Sequence, residues 1–348
     1  MKHLKRTFCI TLALLLGLTG SIFVSAEEES PPVITAELVR QQYAWTSTFI
    51  GGGDEGSFLV WHDGELLYEA HARGHSMDGT QAMFSVTKSV LAALTGIALQ
   101  LGYLDCVEQP VIDFFPEARI AAGQESKRNM TIEHLLTLRS GMPGLNEDSI
   151  GSFFNGSINN LFSLRDSGLA AFRTRQLDAP GEMFRYCSGA TPQTLVGVLQ
   201  RATGQNLRRF ANEHLFEPLG MTSVRWDTAW DGSPFGGLGI RMSPRDMLTF
   251  GQLHLNNGAW DGVQILPEDW VERVQPPYIW GYGYLWWGGQ NSLGAFISAQ
   301  GVGGSIISVY PETNLVVVRT GSHDWWLRIV TWLIRFTAGF FPLFGWWR

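Results

Sequence analysis

Ser85 stands three residues before Lys88, at the head of a run from Phe84 to Leu101 that reads as a helix. Its apolar residues Val90, Leu91, Leu94, Ile97 and Leu101 recur at the spacing of one helix face. Residues i and i+3 share such a face, so the Lys88 amine can reach the Ser85 hydroxyl. A serine hydroxyl attacks a carbonyl only when a neighbouring base takes its proton. A lysine is that base only in its neutral form, which burial favours over the ammonium. Free N–H groups at a helix start favour the negative charge that such an attack develops. The competing reading is a capping serine followed by a surface lysine. Beyond residue 26 the chain has only two lysines, Lys88 and Lys127. Composition alone would put a serine at that offset from one of them roughly one time in seven, so the pair is suggestive and no more.

The other reactive side chains point elsewhere. His134, His254 and His323 lack ligand spacing, so no metal is expected, and no cofactor is implied. Cys187 has no evident base and reads as a wall residue. With Cys106 it is too little for a disulfide framework.

The elements around the pair can be traced. Gly56–Trp61 and Glu65–Tyr68, joined at Asp63-Gly64, read as a hairpin. Thr131–Leu138 reads as a short helix stopped by Ser140-Gly141-Met142-Pro143-Gly144, and Thr191–Ala202 as another ending at Gly204. Ser243-Pro244-Arg245-Asp246 has the cap, proline and acid that open a helix, running to about Leu255. Ser305–Tyr310 and Leu315–Arg319 return to strand, across a turn at Pro311–Asn314. Strands at both ends with helices between predict an α+β fold, an antiparallel sheet of N- and C-terminal strands flanked by helices. A large helical insertion is expected over about residues 102–280.

The first 26 residues have the form of an export signal. Lys2, Lys5 and Arg6 precede an apolar run from Phe8 to Phe23, and Val24-Ser25-Ala26 offers small residues for cleavage. The expected product is exported, periplasmic or secreted. Its formal charge falls from −7 to about −10 on losing three cations and no acids, which excludes a general nucleic-acid binder. Residues 27–323 are then the main domain. Residues 324–348 form an aromatic tail, and from Trp325 onward its only charges are Arg328, Arg335 and Arg348. It reads as a terminal helix, with a membrane-interface contact as the further expectation.

Several motifs occur together in order: Ser85-Val86-Thr87-Lys88, Thr131–Leu136, Ser140–Gly144, Pro180–Tyr186, Gly236–Asp246 and Gly301-Val302-Gly303-Gly304. With them the sequence resembles the penicillin-recognising serine hydrolases. Within these it is similar to the class C β-lactamase-like branch, and most of all to its esterases and nylon-oligomer (6-aminohexanoate-dimer) hydrolases. The likeness runs from about Gly56 to Arg319 and implies a β-lactamase/transpeptidase-like fold. It implies that Ser85 is the nucleophile, Lys88 its base and Tyr186 the proton relay to the leaving group. It further implies an oxyanion hole from the Ser85 and Val302 backbone N–H groups. Such donors typically contribute about 3 kcal/mol each.

Two departures bear on substrate. Tyr186-Cys187-Ser188 carries Ser where the β-lactamases and transpeptidases of this superfamily carry Asn. Ala299-Gln300-Gly301 stands where they place Lys-Thr-Gly, whose first two residues face a substrate carboxylate. Losing a charge-assisted contact, about 1.5–3 kcal/mol, argues against an anionic substrate. Ser188, Ala299, Gln300 and Gly301 are therefore expected to line the substrate site, with Trp280 and Trp286 as its aromatic wall or lid. The expectation is a serine hydrolase acting on a small neutral or cationic ester or amide. A D-alanyl carboxypeptidase or β-lactamase is the alternative within that chemistry, and an idle binding or sensor module the alternative outside it.

Overall fold

The computed structural model describes residues 33–43, 55–144, 165–275 and 281–321. The leader, Trp280 and the tail at 324–348 lie outside them. In chain order come α1 (Ala36–Tyr43), β1 (Glu55–His62), β2 (Glu65–His71), β3 (Gln81–Ala82), α2 (Val86–Gln100), α3 (Ile132–Leu136) and α4 (Ser167–Phe172). There follow α5 (Ala190–Thr203), α6 (Leu207–Ala211), β4 (Arg225–Trp226), β5 (Ile240–Met242), α7 (Pro244–Leu255), β6 (Ala259–Trp260), β7 (Val263–Gln264) and α8 (Trp270–Val274). The chain closes with β8 (Trp287–Asn291), β9 (Gly294–Gly301), β10 (Ser305–Tyr310) and β11 (Leu315–Gly321).

Six strands form one antiparallel sheet in the order β2-β1-β11-β10-β9-β8. Its first hairpin turns at Asp63 and Gly64, both at positive φ (49° and 91°), the pair of conformations that a two-residue turn matched to strand twist needs. β1 pairs with β11, Val60 opposite Val317, so the two ends of the chain close the sheet on each other. The alternation of strand side chains then gives the sheet two buried faces. Leu59, Ile297, Ala299, Ile307, Val316 and Val318 pack with α2, while Phe58, Val60, Ile306 and Val317 pack with Val39 and Tyr43 of α1.

α2 is apolar nearly all round and buried from Val86 to Ala98, as a helix sandwiched between sheet and helices must be. Ser243 caps α7 and Asp246 answers it, a reciprocal pair of side-chain bonds to backbone N–H groups. In α3 the same box is closed by Thr131 and His134, which fixes His134 as a cap residue. A second sheet, β3-β5-β4, lies beside the start of α2 and ties it down through Met83 N to Ile240 O at 2.8 Å. Among the described residues no helix is long and apolar enough to cross a membrane.

His254 ends α7 fully buried, between Phe250 and Trp286, its Nδ1–H donating to the Phe250 carbonyl at 2.9 Å. Burial pushes its pKa down from the ordinary 6.5 to about 4. The folded value lies below the unfolded one, so its contribution to stability is whole above about pH 6.5 and is lost as pH falls towards about 4. Wild type should lose up to about 3 kcal/mol more than His254→Gln across that window, read from urea unfolding midpoints. Parallel pH profiles for the two proteins would contradict this.

Candidate active site

Phe84 takes a positive φ of 47° immediately before Ser85, a conformation disfavoured for a residue with a side chain. It turns the chain out of the Met83 region so that Ser85 stands at the N-cap of α2, just before Val86. Ser85 makes no capping bond with its side chain. Its hydroxyl is half-buried and faces Lys88, whose Nζ lies 2.8 Å from Ser85 Oγ. Lys88 is only 1% exposed, held one turn into a helix that is otherwise core.

Three further oxygens surround the same nitrogen: Ser188 Oγ at 2.9 Å, the Gly237 carbonyl at 3.1 Å and Tyr186 OH at 3.4 Å. A carbonyl can only accept, so Gly237 takes one N–H and orients the amine. The three hydroxyls can each donate or accept. Protons can therefore pass between Ser85, Lys88, Tyr186 and Ser188 without any heavy atom moving far. Tyr186 stands half-buried with its ring 5.6 Å from that of Trp287 in near-parallel stacking, and edge-on to Tyr282 at 6.0 Å. Tyr282 is buried beneath them. Desolvation, reinforced by the neighbouring Tyr186, pushes its phenol pKa well above the ordinary tyrosine range, so it serves as a neutral floor.

Gly301 ends β9 against the turn that carries Ser85. A methyl group there would run into the Met83 carbonyl oxygen and come 3.4 Å from the Ser85 backbone nitrogen, so no larger residue fits. The exposed Val302 follows directly. The Ser85 and Val302 amides have no backbone acceptor among the described residues.

The two β9 side chains expected at the substrate take different positions. Ala299 shares the face of Gly301 and α2 but is 1% exposed, a small wall residue without charge or hydrogen bond. Gln300 pairs across the sheet with Ile306, on the opposite face, and its amide reaches Ser298 Oγ at 3.3 Å. The period of two in a strand puts it away from Ser85. Trp286, expected in the aromatic wall, is fully buried and stacked on Phe250 in the core, and the next residue, Trp287, meets Tyr186 instead. Leu285, at φ 57°, turns the chain just before this pair. Among the described residues no group of His, Cys, Asp or Glu is arranged to hold a metal ion.

The Beta-lactamase family model matches residues 50–323 of the chain. The chain belongs to this family. It is similar to a 6-aminohexanoate-dimer hydrolase from Paenarthrobacter ureafaciens, 23% identical over 76% of this chain and 72% of that one. It is also similar to Esterase EstB from Burkholderia gladioli, 30% identical over 47% of this chain and 44% of the esterase. Among solved structures, the octameric penicillin-binding protein homologue from Pyrococcus abyssi superposes with a TM-score of 0.62. The two share 17% identity, with 88% of this chain and 78% of the other covered, a likeness of fold. This Beta-lactamase-family chain is a serine hydrolase with an α+β, β-lactamase/transpeptidase-like fold.

Of the contributors to its site, Gln193 carried no mark in the sequence, Gly237 stood in the Gly236–Asp246 motif with no role for its carbonyl, and Trp287 only closed the aromatic run from Trp280 read as a pocket wall. The fully buried Gln193 of α5 accepts from Gly236 N at 3.0 Å and donates to Pro234 O at 3.2 Å and Ser167 Oγ at 2.9 Å. It thus straps down the segment whose next carbonyl, Gly237 O, holds Lys88. Gly237 itself lies against the Ser188 carbonyl so closely that a side chain would collide. The buried Gln193 follows the Tyr186-Cys187-Ser188 motif by little more than one helical turn, and that proximity was the only available signal. Gln193→Ala should leave the fold in place and lower kcat by about 10²-fold with little change in KM, the usual cost of a misplaced catalytic group. Unchanged kcat in a folded Gln193→Ala protein would show that the strap does not position Lys88.

Proposed function

We propose that this enzyme cleaves a small uncharged or cationic ester or amide through an acyl-Ser85 intermediate. The observation that carries the reading is the Lys88 nitrogen, buried and 2.8 Å from Ser85 Oγ, with Tyr186 OH on its other side. Lys88 takes the Ser85 proton as Oγ bonds to the substrate carbonyl carbon, and the carbonyl oxygen becomes an oxyanion against the Ser85 and Val302 amides. Tyr186 passes a proton to the departing alkoxide or amine as the old bond breaks, and is reprotonated through Lys88. Water then attacks the acyl carbon, gives its proton to the Tyr186–Lys88 pair and releases the acid, while Ser85 recovers its own proton. Ser188 holds the amine between these partners. A binding module that only recognises its ligand needs none of this hydroxyl–amine array.

The choice of substrate rests on Ala299. The residue leaves the β9 edge without the positive charge that a carboxylate-bearing substrate would call for, and the relatives named above include an esterase and a 6-aminohexanoate-dimer hydrolase. Purified enzyme should turn over short-chain p-nitrophenyl esters with kcat/KM roughly tenfold or more above that for nitrocefin, the loss of one charge-assisted contact. The 6-aminohexanoate dimer belongs in the same screen as the amide arm. Nitrocefin hydrolysed as fast as the best ester would overturn this assignment in favour of a β-lactamase or carboxypeptidase.

We place the mature enzyme outside the cytoplasm, on the strength of the basic and apolar leader that ends at Val24-Ser25-Ala26. The aromatic residues and isolated arginines of 324–348 support a peripheral contact with the membrane interface.

A further inference from the structure

Away from the Ser85 centre, the loop 118–124 and the end of α4 enclose a cavity of about 450 Å³. Arg119, Lys127, Arg173 and Arg175 line it, together with Phe172 and Ile120, and no carboxylate does. Four cations around one cavity run against the character of a chain with net charge −7. None of the residues that surround Lys88 belongs to its wall.

The nearby acids are engaged elsewhere. Asp166 and Glu117 both pair with Arg201, and the Glu125 carboxylate accepts from the Gly123 backbone N–H. Arg119, Arg173 and Arg175 are exposed and make no ion pair among the described residues. Lys127 differs from them. It is 3% exposed and donates to the carbonyls of Phe172, at 2.8 Å, and Thr174. Burial without a counter-charge pushes its pKa down to about 8. Those two carbonyls, at the end of α4, account for Lys127 as a helix-terminus cation. They leave one ammonium N–H free and do not account for the guanidinium groups beside it, Arg119 and Arg175 with no acid against them and Arg173 with only a longer-range attraction to Asp166. Such a concentration of like charge is self-repelling until an anion enters.

We propose that this cavity binds a small organic phosphate, the dianionic head held by Arg119, Lys127, Arg173 and Arg175 and the organic part lying on Phe172 and Ile120. Guanidinium forks match phosphate oxygens two at a time, and a phosphate monoester carries close to two charges at neutral pH. The cavity volume falls within the usual range for small-molecule sites.

The test is calorimetric titration of the full-length enzyme with phenyl phosphate at low salt, with benzyl alcohol as the uncharged control. Saturable binding of phenyl phosphate at millimolar concentration or below is expected, with none for benzyl alcohol. The variant Arg119→Gln/Arg173→Gln/Arg175→Gln changes exposed side chains only. It should bind phenyl phosphate roughly tenfold or more weaker while keeping the wild-type rate of ester hydrolysis. Sedimentation with phosphatidate vesicles separates two sources of the phosphate group. Pelleting that the triple variant loses assigns a lipid headgroup, and binding confined to phenyl phosphate assigns a soluble ester. Absent saturable binding, or equal affinity in the triple variant, would overturn the proposal.

Discussion

Lys88→Arg should lower kcat for ester hydrolysis by about 10³-fold or more, although it keeps the positive charge. Arginine stays protonated at any pH a protein tolerates, so it has donors and no lone pair with which to take the Ser85 proton. The planar fork is also too wide for the position. Lys88 Nζ is ringed by Ser85 Oγ, Ser188 Oγ, Gly237 O and Tyr186 OH within 3.4 Å, and a guanidinium would have to displace one of them. Lys88→Met separates loss of the base from crowding, because methionine is unbranched, close to lysine in length, and has no nitrogen. It should lose activity to a similar degree while its thermal unfolding remains cooperative. Near-native turnover in either folded variant would remove Lys88 from the chemistry.

How far the sequence already announced this arrangement differs from residue to residue. The elements carried by strong local signals came through nearly to the residue. The Asp63-Gly64 turn, the Ser243–Asp246 cap and the glycine stop at Gly204 are all decided by groups close together in the chain. Ser85 and Lys88 were legible for the same reason, since a helix brings i and i+3 together whatever surrounds it. Tyr186 entered only through resemblance, because its place beside Lys88 depends on how α5 docks against α2.

What local pattern could not show was orientation across the sheet and contacts carried by backbone. Gln300 and Trp286 each sit next to a residue that does face the site, and one step along the chain reverses the side presented. Adjacency in a motif was thus a poor guide to which side chain meets substrate. The Gly237 carbonyl has no side chain to announce it. Its role appears only once Gln193, forty-odd residues earlier, is seen holding the neighbouring amide of Gly236.

The largest effect is expected at Ser85, the proposed nucleophile. In the proposed mechanism Ser85→Ala removes the atom that carries the acyl group, and among the described residues no second serine stands in its place. Ser188 Oγ also touches Lys88, but Ser188 is 8% exposed and directed into the amine. Cys187, the other nucleophilic atom nearby, is buried and contacted by the Gly189 backbone N–H. Ester hydrolysis in the variant should fall by at least about 10³-fold with the fold retained. The direct measurement is to react the enzyme with a fluorophosphonate probe and locate the adduct by peptide mass spectrometry. The phosphonyl group should appear on Ser85 in wild type and be absent from Ser85→Ala. An adduct on Ser188 or Cys187, or labelling that survives Ser85→Ala, would contradict the assignment of Ser85 as the catalytic nucleophile.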